Sequence, residues 1–172
     1  MTEFKVKGEV FQTILELVAD RWGADSIGKI GAKNGVYNTD QWYPFEEFSQ
    51  LLSIVKSSVG NNNPLVIYQL GLNTMKREQR WNELFSALDP ADVFQSTERQ
   101  DTEYRVGTYT AVPKSPKHIQ VTMECDDPSP EWCEFYRGRL QGVLELTGRT
   151  GVVHLLPARE NKLVRTYDIK WG

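Results

Sequence analysis

The chain has 172 residues, 40% of them hydrophobic and 25% charged, with 20 basic against 23 acidic side chains and a formal net charge of −3. A chain of this length can bury most of its apolar surface in one domain without disulfide or metal support. The balanced charge, with no block of like sign, excludes attraction to a phosphate backbone as a mode of recognition, so no nucleic-acid partner is expected. No apolar stretch is long enough for a membrane span, Met1 to Lys7 carries no apolar segment of the secretory kind, and the two cysteines, Cys125 and Cys133, read as reduced thiols. A soluble cytoplasmic protein is the expectation.

Apolar residues at Val10, Phe11, Ile14, Leu17 and Val18 recur at helical spacing between Glu9 and Trp22, and Gly23 stands at the expected C-terminal cap. Asp25 to Ala32 reads as a short second helix ended by the turn former Asn34-Gly35, and Val36 to Asp40 as loop. Pro44 fits the first turn of a third helix whose stripe is Phe45, Phe48, Leu52, Val55 and Val59, with Glu46 and Glu47 at its positive end. Asn61-Asn62-Asn63-Pro64 is a turn and cap signal, and Leu65, Tyr68, Leu72 and Met75 predict a fourth helix despite Gly71. Trp81, Leu84, Phe85 and Leu88 continue the spacing to Asp89-Pro90, which restarts the chain as a short helix with Val93, Phe94 and Thr97.

Near Gln100 the period changes. Tyr104 to Val112 is rich in Thr, Tyr and Val, and His118 to Glu124 alternates Ile119, Val121 and Met123 with polar neighbours, predicting paired strands. Ser129-Pro130-Glu131 starts a helix that buries Phe135, Leu140, Val143, Leu144 and Leu146 and stops at Gly148. Val152 to Leu156 and Leu163 to Trp171, around Arg159-Glu160-Asn161, predict a terminal hairpin. The fold class is therefore α+β: one domain over 1–172, with a helical subdomain (1–100) packed on a strand-strand-helix-strand-strand subdomain (101–172) that forms an antiparallel sheet with one long amphipathic helix.

Catalytic chemistry is sparse in this sequence. The only histidines, His118 and His154, fall in strand-like runs outside any nucleophile motif. The carboxylate pairs Glu46/Glu47 and Asp126/Asp127 sit at helix starts or turns, where they complement a dipole or cap the backbone. A zinc or thiol site at Cys125 and Cys133 with His118 is the one metal alternative, although the cysteines lack the close spacing of a zinc pair. Gly138 and Gly142, one helical turn apart, are expected to admit close approach of the sheet. The five tryptophans are spread over the chain and read as packing residues. Trp81 is the exception, since with Phe85, Leu88, Val93 and Phe94 it makes an aromatic helix pair suited to lining an apolar pocket.

Two separated regions resemble the haem nitric oxide/oxygen-binding (H-NOX) domains. Val6-Lys7-Gly8, Phe11, Leu15-Glu16-Leu17-Val18, Gly23, Gly35-Val36-Tyr37 and Tyr43-Pro44 look like that family's first helices. Tyr136, Gly138, Gly142, Leu144 and Gly148 look like its last helix. The resemblance implies a helical subdomain on a curved antiparallel sheet, with a pocket between them. The family's iron-binding histidine would fall within Asp92-Val93-Phe94-Gln95, at Gln95 or Phe94, and neither replaces imidazole. Its Tyr-x-Ser-x-Arg propionate motif falls near Met123-Glu124-Cys125-Asp126-Asp127, where acidic groups repel carboxylates. The wider superfamily adds vinyl-reductase-like sensor domains and trafficking-complex subunits. Cys125 and Cys133 are similar to zinc-binding cysteines of the former, but lie before and at the start of the long helix instead of after it.

The sequence thus predicts a haem-less H-NOX-like sensor or adaptor, not an enzyme, with no cofactor and a signalling protein partner or homodimer. An apolar small molecule would sit between the subdomains against Trp81, Phe85, Leu88, Phe94, Gln95 and Met123. The alternatives are a ligand-free scaffold or dimerisation module and the zinc or thiol site.

Overall fold

The computed structural model describes residues 4–31, 37–77, 79–86, 88–96, 104–125, 128–158 and 163–172. The expected turns at Asn34-Gly35 and Arg159-Glu160-Asn161, the paired Asp126/Asp127, Thr97 and the point of change at Gln100 lie outside them. The helical part contains α1 (Gly8–Trp22), α2 (Asp25–Lys29), α3 (Phe45–Ser58), α4 (Pro64–Arg77), α5 (Gln79–Phe85) and α6 (Pro90–Gln95). Val10, Phe11, Ile14, Leu15 and Val18 form the buried stripe of α1, which ends where Gly23 takes φ 86° and its N–H donates to Ala19 O. Asp89 caps α6 as expected, its Oδ1 accepting from Ala91 N–H at 2.9 Å with Pro90 in the first turn.

A four-stranded antiparallel sheet of order β4-β5-β7-β6 is built from β4 (Thr108–Ser115), β5 (His118–Glu124), β6 (Gly151–Leu155) and β7 (Val164–Trp171). Register fixes its two faces. Val121 opposes Tyr167 and Ile119 opposes Ile169 on the inner face, whereas Gln120 and His154 both oppose Asp168 on the outer face. The inner face packs on α7 (Pro130–Leu146), whose first turn is capped by Ser129 Oγ accepting from Trp132 N–H at 3.2 Å. Gln141 of α7 fastens the edge strand β6, accepting from Val153 N–H and donating to Gly151 O, both at 3.1 Å. Those backbone groups are thereby withheld from pairing with another chain.

Two very short strands, at residues 5–7 and 42–44, were not legible in the sequence, and a third is the start of the run predicted from Tyr104. β1 (Lys5–Lys7), β2 (Trp42–Pro44) and β3 (Tyr104–Arg105) form a second antiparallel sheet of order β2-β1-β3, which ties the start of the chain to the strand-rich half. Stretches of two or three residues carry no period to read. The predicted strand from Tyr104 to Val112 is split at Gly107, which takes φ 118°. A Cβ there would lie 2.0 Å from Glu124 O. Only glycine permits that conformation and that approach.

Gly138 and Gly142 face α4, correcting the expectation that they admit the sheet. A Cβ on Gly138 would lie 2.0 Å from Tyr68 O, one on Gly71 of α4 would lie 1.9 Å from Phe135 O, and one on Gly142 would lie 2.8 Å from Met75 Cβ. Glycines on both helices thus let the α4 and α7 backbones touch. Helix α7 is buried on two sides, against the sheet and against α4, which explains why Trp132, Cys133, Phe135, Tyr136, Arg139, Leu140, Gln141 and Leu144 are all buried. The main core runs through both halves of the chain. At its centre, Phe48 of α3 meets Phe11 at 5.1 Å, Phe135 at 5.2 Å and Trp132 at 6.1 Å between ring centroids. Met75, Trp81, Phe85 and Val93 form a second, smaller apolar cluster. No helix among the described residues is long and apolar enough to cross a membrane.

Candidate functional site

Between the smaller cluster, the sheet and α7 lies a cavity of about 320 Å³, near the lower end of the roughly 300–1,000 Å³ typical of small-molecule sites. One wall is helical: Met75 of α4, Trp81 and Phe85 of α5 and Val93 of α6. The two α5 rings are stacked, with centroids 5.3 Å apart and planes 14° from parallel. The opposite wall consists of Tyr104, the turn and strand residues 106–109, and Met123 of β5. Helix α7 closes the space with Trp132, Tyr136, Arg139, Leu140 and Val143, a single stripe at helical spacing.

Trp81, Phe85 and Met123, all picked out from the sequence, come together around this space. Leu88 packs against the smaller cluster without reaching the cavity surface, Phe94 is buried in the main core at 2% exposure, and Gln95 is exposed. Helix α6 presents Val93 to the cavity, and the next residue, rotated by about 100°, turns away. The α7 wall was read from the sequence as ordinary core. Its missed signal is an arginine set in an otherwise apolar stripe.

Among the described residues that line the cavity, Arg139 is the only formally charged one, and it is 9% exposed. Its Nη1 donates to Thr74 Oγ1 at 3.3 Å, while Thr74 Oγ1 donates to Gly71 O at 2.7 Å. The guanidinium carbon also lies 4.5 Å above the Tyr104 ring. Guanidinium stays charged at any accessible pH, and the hydrogen bond and the ring face help to offset its burial. Trp132 is 1% exposed, and its Nε1 donates to no acceptor among the described residues.

Neither histidine belongs to the cavity. Both lie on the outer face of the sheet, where His118 Nε2 donates to Asp168 Oδ1 at 2.6 Å and His154 is exposed. Burial opposes ionisation of Asp168. Hydrogen bonds from His118, Gln120 and Lys170 and the field of His118 outweigh it, holding the carboxyl at about 2 against an ordinary 3.8. A depressed carboxyl contributes stability that is complete above about pH 4 and is lost as the pH falls toward 2. Asp168→Asn is therefore expected to destabilise the protein by about 1–2 kcal/mol at pH 7. Urea unfolding at pH 7 and pH 2 checks this, and the difference from the unaltered protein should close at the lower pH.

Cys125 and Cys133 are both buried, and neither is in a disulfide. Burial pushes the Cys133 thiol up, only partly countered by Arg165 and Tyr167, which disfavours the reactive thiolate. Its Sγ rests 3.7 Å from Pro128 O, and His118 lies on the other sheet face. No group of three or more His, Cys, Asp or Glu side chains converges into a metal site among the described residues.

The haem of the H-NOX family, which the sequence reading expects this chain to lack, can be tested against this donor set. At the predicted ligand position, Phe94 is committed to the core and Gln95 to solvent. The cavity wall offers phenols and thioethers but no imidazole, because both histidines are accounted for elsewhere. Family-type haem ligation through histidine does not fit these residues.

The sequence matches no protein-family model and no curated protein. Solved structures do match in fold. The chain is similar to the Fe(II) unliganded H-NOX protein from K. algicida, with a TM-score of 0.76, 17% identity and 96% of each chain covered. It is also similar to a Cs H-NOX carrying 4-cyano-L-phenylalanine, with a TM-score of 0.74, 14% identity and 96% of each chain covered. For an H-NOX from T. Tengcongensis the TM-score is 0.66 at 15% identity, covering 96% of this chain and 97% of that one. The chain has an H-NOX-like α+β fold.

Proposed function

We propose that this H-NOX-like fold is a non-enzymatic sensor or adaptor whose cavity takes an apolar small molecule in place of haem. The observation that carries this reading is an apolar cavity of about 320 Å³ at the junction of the helices and the sheet, without histidine on its wall. A side-chain-filled pocket would instead favour a ligand-free scaffold, but Trp81 and Met123 border open space. Among the described residues no catalytic constellation surrounds the cavity, which agrees with binding over turnover. Signalling requires that the ligand favour one conformation over another. The cavity is bounded by α4, α5, α6, α7 and the sheet, so occupancy biases how these elements pack and what surface they offer to a protein partner or a second copy.

The neutral fluorophore N-phenyl-1-naphthylamine and free haemin together test the reading. The expected result is saturable fluorescence enhancement at one fluorophore per chain, with no stoichiometric Soret band of a histidine-ligated haem. Haem retained at one per chain, or a fluorophore signal that does not saturate, would overturn it.

A further inference from the structure

Six of the side chains that line the cavity are aromatic, and they meet it from two sides in two different arrangements. On the helical wall, Trp81 and Phe85 are one turn apart on α5 and nearly parallel, 14° between planes with centroids 5.3 Å apart. They form a pair of plates. On the other side the rings are set at an angle to one another: Trp132 is tilted 45° from Tyr104 and 36° from Tyr136, and Tyr109 stands 75° from Tyr136. The thioethers of Met75 and Met123 also reach this space, and sulfur favours the edges of aromatic rings. An aromatic ring is negative on its faces and positive along its edge, so it gains from parallel plates and from tilted rings alike. Each well-placed aromatic pair is worth about two- to tenfold in affinity beyond the area that it buries. A saturated ring has no such charge pattern and gains from burial alone.

We infer that the cavity selects a flat aromatic molecule of about two fused rings, held between Trp81 and Phe85 on one side and Tyr104, Trp132 and Tyr136 on the other. This rests on the ligand-binding reading above and specifies its ligand class. Size sets the number of rings. An apolar cavity of about 150 Å³ takes up one benzene, and the cavity here, at about 320 Å³, has about twice that room. A single ring would leave part of the wall without contacts and forfeit their dispersion energy. Trp81 and Phe85 also belong to the smaller apolar cluster, so their part in selecting a ligand must be separated from their part in packing.

Naphthalene, tetralin and decalin make that separation, because they share one bicyclic carbon skeleton and differ in having two, one and no aromatic rings. Headspace gas chromatography over solutions of the full chain gives the affinity for each compound, and dividing by its water-to-hexadecane partition removes general hydrophobicity. On that scale naphthalene is expected to exceed decalin by about tenfold or more, with tetralin between them. Trp81→Leu and Phe85→Leu should each lower the naphthalene-to-decalin ratio by about threefold. Rings that serve packing alone would, when removed, weaken both hydrocarbons together and leave the ratio unchanged. An unchanged ratio in both variants therefore overturns the inference. So do equal normalised affinities in the unaltered protein, although saturable binding of N-phenyl-1-naphthylamine would then leave the ligand-binding reading intact. Failure of every compound, the fluorophore included, overturns that reading itself. Because the ratio is measured first on the unaltered protein, a variant that does not fold leaves the inference testable.

Discussion

Replacing Gly138 by alanine is expected to destabilise the protein by about 3–5 kcal/mol, an effect at the top of the range for single substitutions. The added methyl would sit 2.0 Å from Tyr68 O and 2.9 Å from Leu72 N, both backbone atoms of α4. A side chain in that position could rotate away, but a helix backbone moves only as a unit. Relieving the clash requires α4 and α7 to separate, which opens the packing of both helices and strains the 3.3 Å contact between Arg139 and Thr74. A Cβ on Gly71 would lie 1.9 Å from Phe135 O in the opposite direction, so neither helix has slack with which to absorb the change. Urea unfolding of Gly138→Ala beside Gly28→Ala measures the effect. Gly28 lies in α2 with nothing within 4 Å of an added Cβ. The helix propensity of alanine predicts a gain of up to about 1 kcal/mol there. A loss below about 1 kcal/mol in Gly138→Ala would mean that the helix seam is not close-packed.

This seam also marks where the sequence stops being readable. The positions of Gly138 and Gly142 one turn apart already require close approach to some element, but their spacing does not say which one. The partner is fixed only when α7 packs between the sheet and α4. Local periodicity was sufficient for the long helices and for the alternation of Ile119, Val121 and Met123, because each element must bury one face whatever lies opposite. It was insufficient for β1 and β2, whose strand geometry comes from pairing with each other and not from their residues.

The cavity was legible to a similar extent. Trp81, Phe85 and Met123 signal it by bulk, whereas α6 is six residues long, so a small rotation about its axis decides whether Val93 or Phe94 faces inward. Nothing local to Asp92-Val93-Phe94-Gln95 sets that rotation. It follows from the Asp89 cap, which fixes the start of the helix, and from the place Phe94 finds in the main core. The α7 wall had a clearer signal in Arg139. Buried arginines are rare unless they are partnered, and one flanked on its helical stripe by Tyr136, Leu140 and Val143 marks either a polar contact or a ligand.

Val143→Trp is expected to weaken N-phenyl-1-naphthylamine binding by about tenfold or more while leaving stability unchanged or raised by up to about 2 kcal/mol. Val143 lines the cavity one helical turn beyond Arg139 and packs on the cluster of Met75, Trp81, Phe85 and Val93. An indole at this position extends into open space before it meets a neighbour, so its apolar area is buried at little steric cost. A probe that occupies the same space must then lose its contacts. The sign of the stability change distinguishes filling from damage, since an overpacked core loses about 1–3 kcal/mol. A destabilised variant with weak binding would show only that the site had been distorted. Val112→Trp is the control: Val112 lies on the outer face of the sheet and is 44% exposed, so neither stability nor probe binding should change. Undiminished probe binding in a stable Val143→Trp protein would place the ligand elsewhere. Loss of binding with stability retained would also yield a permanently occupied form of the domain. Comparing the packing of α4, α5, α6 and the sheet in that form with the unaltered protein would then measure the conformational bias that the proposed sensor role requires.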